Sequence, residues 1–165
     1  MINSTKWYLC HMKYRILSQE ELELLEDDLK AFLIVNGIHG DEWREMNKSN
    51  PVKAVELVEL FSDTVLQKVY DKIRFIEHRS PKSCMVFHLK EDKIELISIN
   101  SNSNSVDLTT PESIHEALSK NADSLSIFRT QKMYLKDRAA EIHEMLEQGC
   151  VNSSEAFWYQ LEKVV

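Results

Sequence analysis

The chain has 165 residues, 43% of them hydrophobic and 28% charged, with a formal net charge of −7 at pH 7. That length fits one domain and can bury a self-sufficient core without metals or disulfides. Three glycines and three prolines argue against a loop-rich scaffold, and no stretch approaches the roughly 18 consecutive apolar residues of a membrane span.

The opening MINSTKWYLCHMKYR has no apolar run long enough for a signal peptide. Cys10, Cys84 and Cys150 are far apart and form no CxxC pair, which suits free thiols in a reducing cytoplasm and no metal knuckle. Charge is uneven: residues 1–71 carry a net −5, residues 72–101 a net +2 and residues 102–165 a net −4. Six basic residues between 72 and 101 make no dense stripe able to neutralise a phosphate backbone, so nucleic-acid binding is disfavoured. A small anionic ligand fits such a region better.

Ser18 with Glu21 three residues later is a capping-box pattern, and Leu22, Leu25, Leu29, Phe32 and Leu33 follow at helical spacing. Asn36-Gly37 supplies a left-handed stop, so a helix is predicted over 18–36. GDEWREMN adds a short helix capped by Asp41. Asn50-Pro51 opens a further helix to about Asp71, with Ala54, Val58, Phe61, Val65 and Val69 on one stripe. The long helices suggest an α-hairpin.

After Lys72 the period changes from 3.6 to 2. Strands are predicted from Ile73, at 84–89 and at 93–100, the last two joined by a turn through Lys90-Glu91-Asp92. SNSNS at 101–105 reads as a mobile loop, with a short strand at Ser105–Thr109. Thr110-Pro111 starts a helix to about 119, and SLSIFRTQKMY returns to alternation as a fourth strand. Two helices close the chain, 135–148 ended by Gly149 and 153–164 capped by Ser153. The expected class is α+β: an N-terminal helical hairpin, a small mainly antiparallel sheet of three to four strands with helices on one face, and a C-terminal helix pair. The expectation is one domain, helical over 12–71, sheet-containing over 72–134 and helical again over 135–165.

Glu77-His78-Arg79-Ser80 ends the first strand. Alternation sends Glu77 and Arg79 to one face and His78 to the other. Arg79, helped by Arg129, is suited to hold a carboxylate or phosphate; an ion pair with a nearby glutamate is the plainer reading. His88 could meet His78 across a hairpin as a two-histidine metal site, with Glu77 or Glu95 as the carboxylate, or be a half-exposed sheet histidine. The candidate ligand residues are therefore His78, Arg79, His88 and Arg129, with no metal site and no cofactor assigned.

His143-Glu144 glances at the helical zinc-protease motif, but Glu147 stands where the second histidine belongs. Three glycines at 37, 40 and 149 make no phosphate loop, and no GxSxG elbow is present. Cys84 and His88 share a strand face but lie about 13 Å apart, too far for a nucleophile–base pair. Phe157, Trp158 and Leu161 look like the anchors of a docked terminal helix; if Trp158 or Tyr159 stays exposed, they would make a partner surface instead.

The segments MKYRILSQEELELLEDDLKAFLIVNGIHGDEW, FSDTVLQKVYDKIRFIEHRSP, IFRTQKMY and EMLEQGC resemble a small bacterial, Bacteroidetes-type family of proteins without an assigned activity. The resemblance covers nearly all of the chain after residue 11 and implies that Met12 is the usual start, with residues 1–11 an extension. It carries no catalytic motif and so implies no site residue. The sequence points to a cytoplasmic, non-enzymatic protein-interaction or regulatory module with a protein partner or a second copy of itself. The alternative is an enzyme or sensor binding a small anion on the basic sheet.

Overall fold

The computed structural model describes residues 12–165; the expected extension, residues 1–11, lies outside the described residues. The described residues divide into two compact units, one ending at Val69 and the other spanning Tyr70–Val165.

The first unit is helical: α1 (Gln19–Leu24), α2 (Glu26–Val35), α3 (Gly40–Ser49) and most of α4 (Pro51–Lys72). Ser18 builds the expected capping box, its hydroxyl accepting from the Glu21 amide while the Glu21 carboxylate accepts from the Ser18 amide. Arg15 grips that carboxylate at 2.8 Å. The helix predicted over 18–36 is broken at Leu25 (φ −107°, ψ 22°), whose amide bonds back to the Glu21 and Glu23 carbonyls. Glu26, Asp27 and Asp28 then suit a fresh helix start. Gly37 takes the left-handed stop at φ +78°. The next helix starts earlier than expected, capped at His39 in place of Asp41, because the Glu42 carboxylate accepts the His39 amide. Phe32 of α2 meets Phe61 of α4 at 5.5 Å between ring centres, and Leu33, Ala54, Phe61 and Leu66 are buried.

The second unit is built on five antiparallel strands, β1 (Phe75–Ser80), β2 (Ser83–Leu89), β3 (Lys93–Ser101), β4 (Leu125–Met133) and β5 (Val151–Asn152). Their order is β4-β3-β2-β1-β5. Among the described residues this is one strand more than expected. The two-residue β5 has no sequence signal of its own and exists only by pairing with Ile76 and Glu77. No strand forms at Ser105–Thr109: serine, threonine and aspartate side chains bond locally there, Ser103 with Ser105 and Thr109 with Asp107. Lys82 ties the neighbouring loop through the Ser103 carbonyl and Asn104.

Helices α5 (Pro111–Lys120), α6 (Arg138–Glu147) and α7 (Glu155–Glu162) complete the unit. Val86, Ile97 and Ile99 of the sheet pack with Ile114 and Ala117 of α5 and with Trp158 and Leu161 of α7 in one buried cluster. The opposite face carries Ile76, Leu89 and Ile94, equally buried. Lys132 and His78 also point to that face, and they meet Glu141 and Gly149 of the α6 segment. Helical cover therefore reaches both faces, where one was expected. Arg138 fixes the corner of the fold: its guanidinium donates to the carbonyls of Tyr70, Ile73, Leu89 and Lys90.

Candidate functional site

The strand registers sort the candidate residues into rows. Glu77, Val86, Ile97 and Arg129 lie side by side across four strands; Arg79, Cys84, Ile99 and Ile127 form the next row; Phe75, His88, Glu95 and Gln131 flank them on the other side. Alternation puts all three rows on the face covered by α5 and α7. Arg79, His88 and Arg129 thus share one face, and His78, opposite Met85, belongs to the other. The two histidines cannot ligate one metal ion across the sheet. Arg129 stands three strands away from the strand of Arg79, roughly 14 Å at ordinary strand spacing.

Arg79 lies 2.8 Å from the Glu77 carboxylate, two residues back on the same face, with side chains 17% and 10% exposed. The second Glu77 oxygen accepts the Ser153 hydroxyl at 2.5 Å, and the Phe157 ring lies 4.8 Å from the guanidinium carbon. Ser153, the expected cap of the last helix, is occupied by this bond; Ser154 caps α7 through the Phe157 amide. Arg79 Nε is buried and meets no hydrogen-bond acceptor among the described residues.

Arg129 reaches Glu95 at 3.1 Å and Glu162 of α7 at 2.8 Å, with its guanidinium 5.6 Å from the Trp158 ring centre. Glu95 gathers Lys90 and Lys93 as well, at 2.8 and 3.3 Å. Burial alone would raise the Glu95 pKa, but the hydrogen bonds from Lys90, Arg129 and Lys93 outweigh it and hold the carboxyl down to about 2. His88 stacks on Phe75 at 4.4 Å and meets the edge of Trp158 at 5.4 Å. Burial, with Lys90 adding to it, lowers its pKa and favours the neutral ring.

Burial drives the Cys84 thiol up to about 11 and raises Cys150 as well, so neither is an activated thiolate. His143 hydrogen-bonds the Tyr70 hydroxyl at 2.8 Å. The described residues hold no cluster of three or more metal-ligating side chains, and none of their helices is long and apolar enough to cross a membrane.

A groove of about 400 Å³ opens between α5 and α7. Ile114, Leu118, Phe157, Leu161 and Val164 line it, with His115 and Lys163 also on its wall. None of His78, Arg79, His88 or Arg129 lines it. Sequence reasoning did not single out this groove, or Glu162 and Ser153 as partners of the two arginines. The only signal was the helical spacing of Phe157, Trp158 and Leu161, which marks a docking helix without saying which strand it crosses.

The profile of a family of unknown function, DUF6495, matches residues 12–165, and the chain belongs to that family. No curated protein and no solved structure shows a significant match.

Proposed function

We propose that this DUF6495 member is a non-enzymatic, cytoplasmic protein-interaction or regulatory module that takes an apolar partner segment in the groove between α5 and α7. The observation that carries this reading is where the charges are spent. Arg79 is matched by Glu77, and Arg129 by Glu95 and Glu162; an incoming anion would have to displace carboxylates already in place. The groove, in contrast, presents half-buried Leu118 and Phe157 and exposed Val164 above a floor of buried Ile114 and Leu161, the kind of surface that receives an amphipathic helix. Lys163 on its wall suits an acidic residue beside that apolar stripe. The two described cysteines are free, in keeping with a reducing compartment.

The test has two arms. Thermal unfolding is followed with phosphates, nucleotides, carboxylates and divalent metals, for wild type and Arg79→Ala. No shift is expected; a ligand at about 100 times its Kd would add roughly 2.7 kcal/mol. A shift seen only in wild type would overturn the proposal in favour of an anion site on the basic sheet. In parallel, a display library of amphipathic helical peptides is selected on wild type. Enriched peptides should bind Leu118→Asp at least about tenfold more weakly; indifference to that change would remove the groove from the reading.

A further inference from the structure

The sheet ends differently at its two edges. On one side β5 is two residues long and runs straight into α7, a short edge of the kind that discourages strand addition. On the other, β4 presents nine residues, Leu125–Met133, in unbroken register with β3 and paired, among the described residues, on that side alone. It contains no proline and no bulge, so its outer backbone N–H and C=O groups form a regular unfilled ladder. Edge cations normally protect such a strand, yet both of its cations are tied back to their own chain: Arg129 to Glu95 and Glu162, Lys132 to Glu141. Phe128 and Met133 stand 46% and 62% exposed.

We propose that β4 is a self-association edge, at which two copies of the chain pair β4 with β4 antiparallel to continue the sheet. This names one partner for the interaction module described above and rests on that reading. A two-fold axis at the edge keeps the two sheet faces distinct, so the strand can meet its copy only in registers that pair residues of like parity. Centring on Arg129 sets two guanidiniums against each other. Centring on Phe128 pairs the exposed aromatic with its counterpart, Ser126 with Thr130, Ile127 with Arg129 and Leu125 with Gln131, and brings no like charges opposite. Aromatic and hydroxyl pairs of this kind favour a strand pair. Centring on Thr130 would set Phe128 against Lys132, which places a cation where the aromatic could otherwise be covered.

Sedimentation velocity of wild type, Phe128→Asp and Phe128→Lys, separately and mixed, tests this. Wild type should be dimeric at ~100 µM, the range expected of a small edge interface. Each single variant should dissociate at least about tenfold more readily, because like charges then face each other at the axis. The equimolar mixture of the two variants should recover the dimer, which a folding defect would not allow. A monomeric wild type would overturn the proposal and leave the groove reading standing. A dimer strengthened by Phe128→Asp would overturn the Phe128-centred register, since only the Thr130-centred one places Lys132 there. A dimer abolished by Leu118→Asp and indifferent to position 128 would transfer self-association to the groove and overturn the edge.

Discussion

Replacing Arg138 by methionine keeps the aliphatic stem and removes the fork that donates to four carbonyls. The lost bonds run from Nε to Lys90 at 3.0 Å, from Nη1 to Tyr70 at 2.9 Å, and from Nη2 to Ile73 and Leu89 at 2.6 and 3.0 Å. Two acceptors keep another donor: the Tyr134 hydroxyl stays on Lys90, and the Ile73 amide on Tyr70. The cost therefore falls mainly on the carbonyls of Ile73 and Leu89. At ~1.5–3 kcal/mol for each bond to a charged donor, the expected loss is about 3–6 kcal/mol. For a chain of this length that corresponds to a fall in Tm on the order of 10 °C. Urea unfolding followed by circular dichroism gives the free energy directly, with an unchanged m-value expected. Arg138→Lys keeps the charge without the planar fork and should recover less than half of the loss. A cost below about 1 kcal/mol for Arg138→Met would refute the idea that this guanidinium holds the corner of the fold.

Three further outcomes are expected. Because Glu95 is held down at about 2 when folded, against an ordinary value near 4.5, its contribution on the order of 3 kcal/mol is full above pH 4.5 and is lost as pH falls toward 2; urea midpoints of wild type and Glu95→Gln should converge across that window. His88, depressed by burial, should titrate by NMR below 6.5, and its stabilising preference for the neutral form should fade as pH drops below 6.5 through its folded pKa; a titration at or above 6.5 would contradict its packing against Phe75 and Trp158. Glu77→Ala should cost about 3–5 kcal/mol by leaving the buried Arg79 charge unmatched, while Glu77→Leu combined with Arg79→Leu should recover most of it; a double variant as unstable as the single one would refute the pairing.

What could be read in advance was whatever is decided within a few residues. Ser18 with Glu21, Thr110 with Pro111, and Gly37 each fix a helix end by local bonding or a single torsion. The alternation of β2 and β3 sorts their faces before any partner is known. The same rule placed Glu77 and Arg79 on one face and His78 on the other. What was hidden depends on distant pairing. β5 exists because Val151 and Asn152 meet β1, and α6 starts at Arg138 because Asp137 caps it by accepting the Ala140 amide. Glu162 became a partner of Arg129 only once α7 crossed the sheet, and Arg138 shows no periodicity that announces four carbonyl acceptors.

The Glu77–Arg79–Ser153 arrangement has a consequence for how relatives of this chain would vary. A change at any one of the three positions strands a charge or an acceptor under the Phe157 ring, so changes there should be accepted as a set. Positions 77 and 79 would then covary with each other and with a residue more than seventy positions downstream. In an alignment, such a trio, with a histidine lodged in its middle, would carry the outward signature of an active site. Selection for folding alone would suffice to write it.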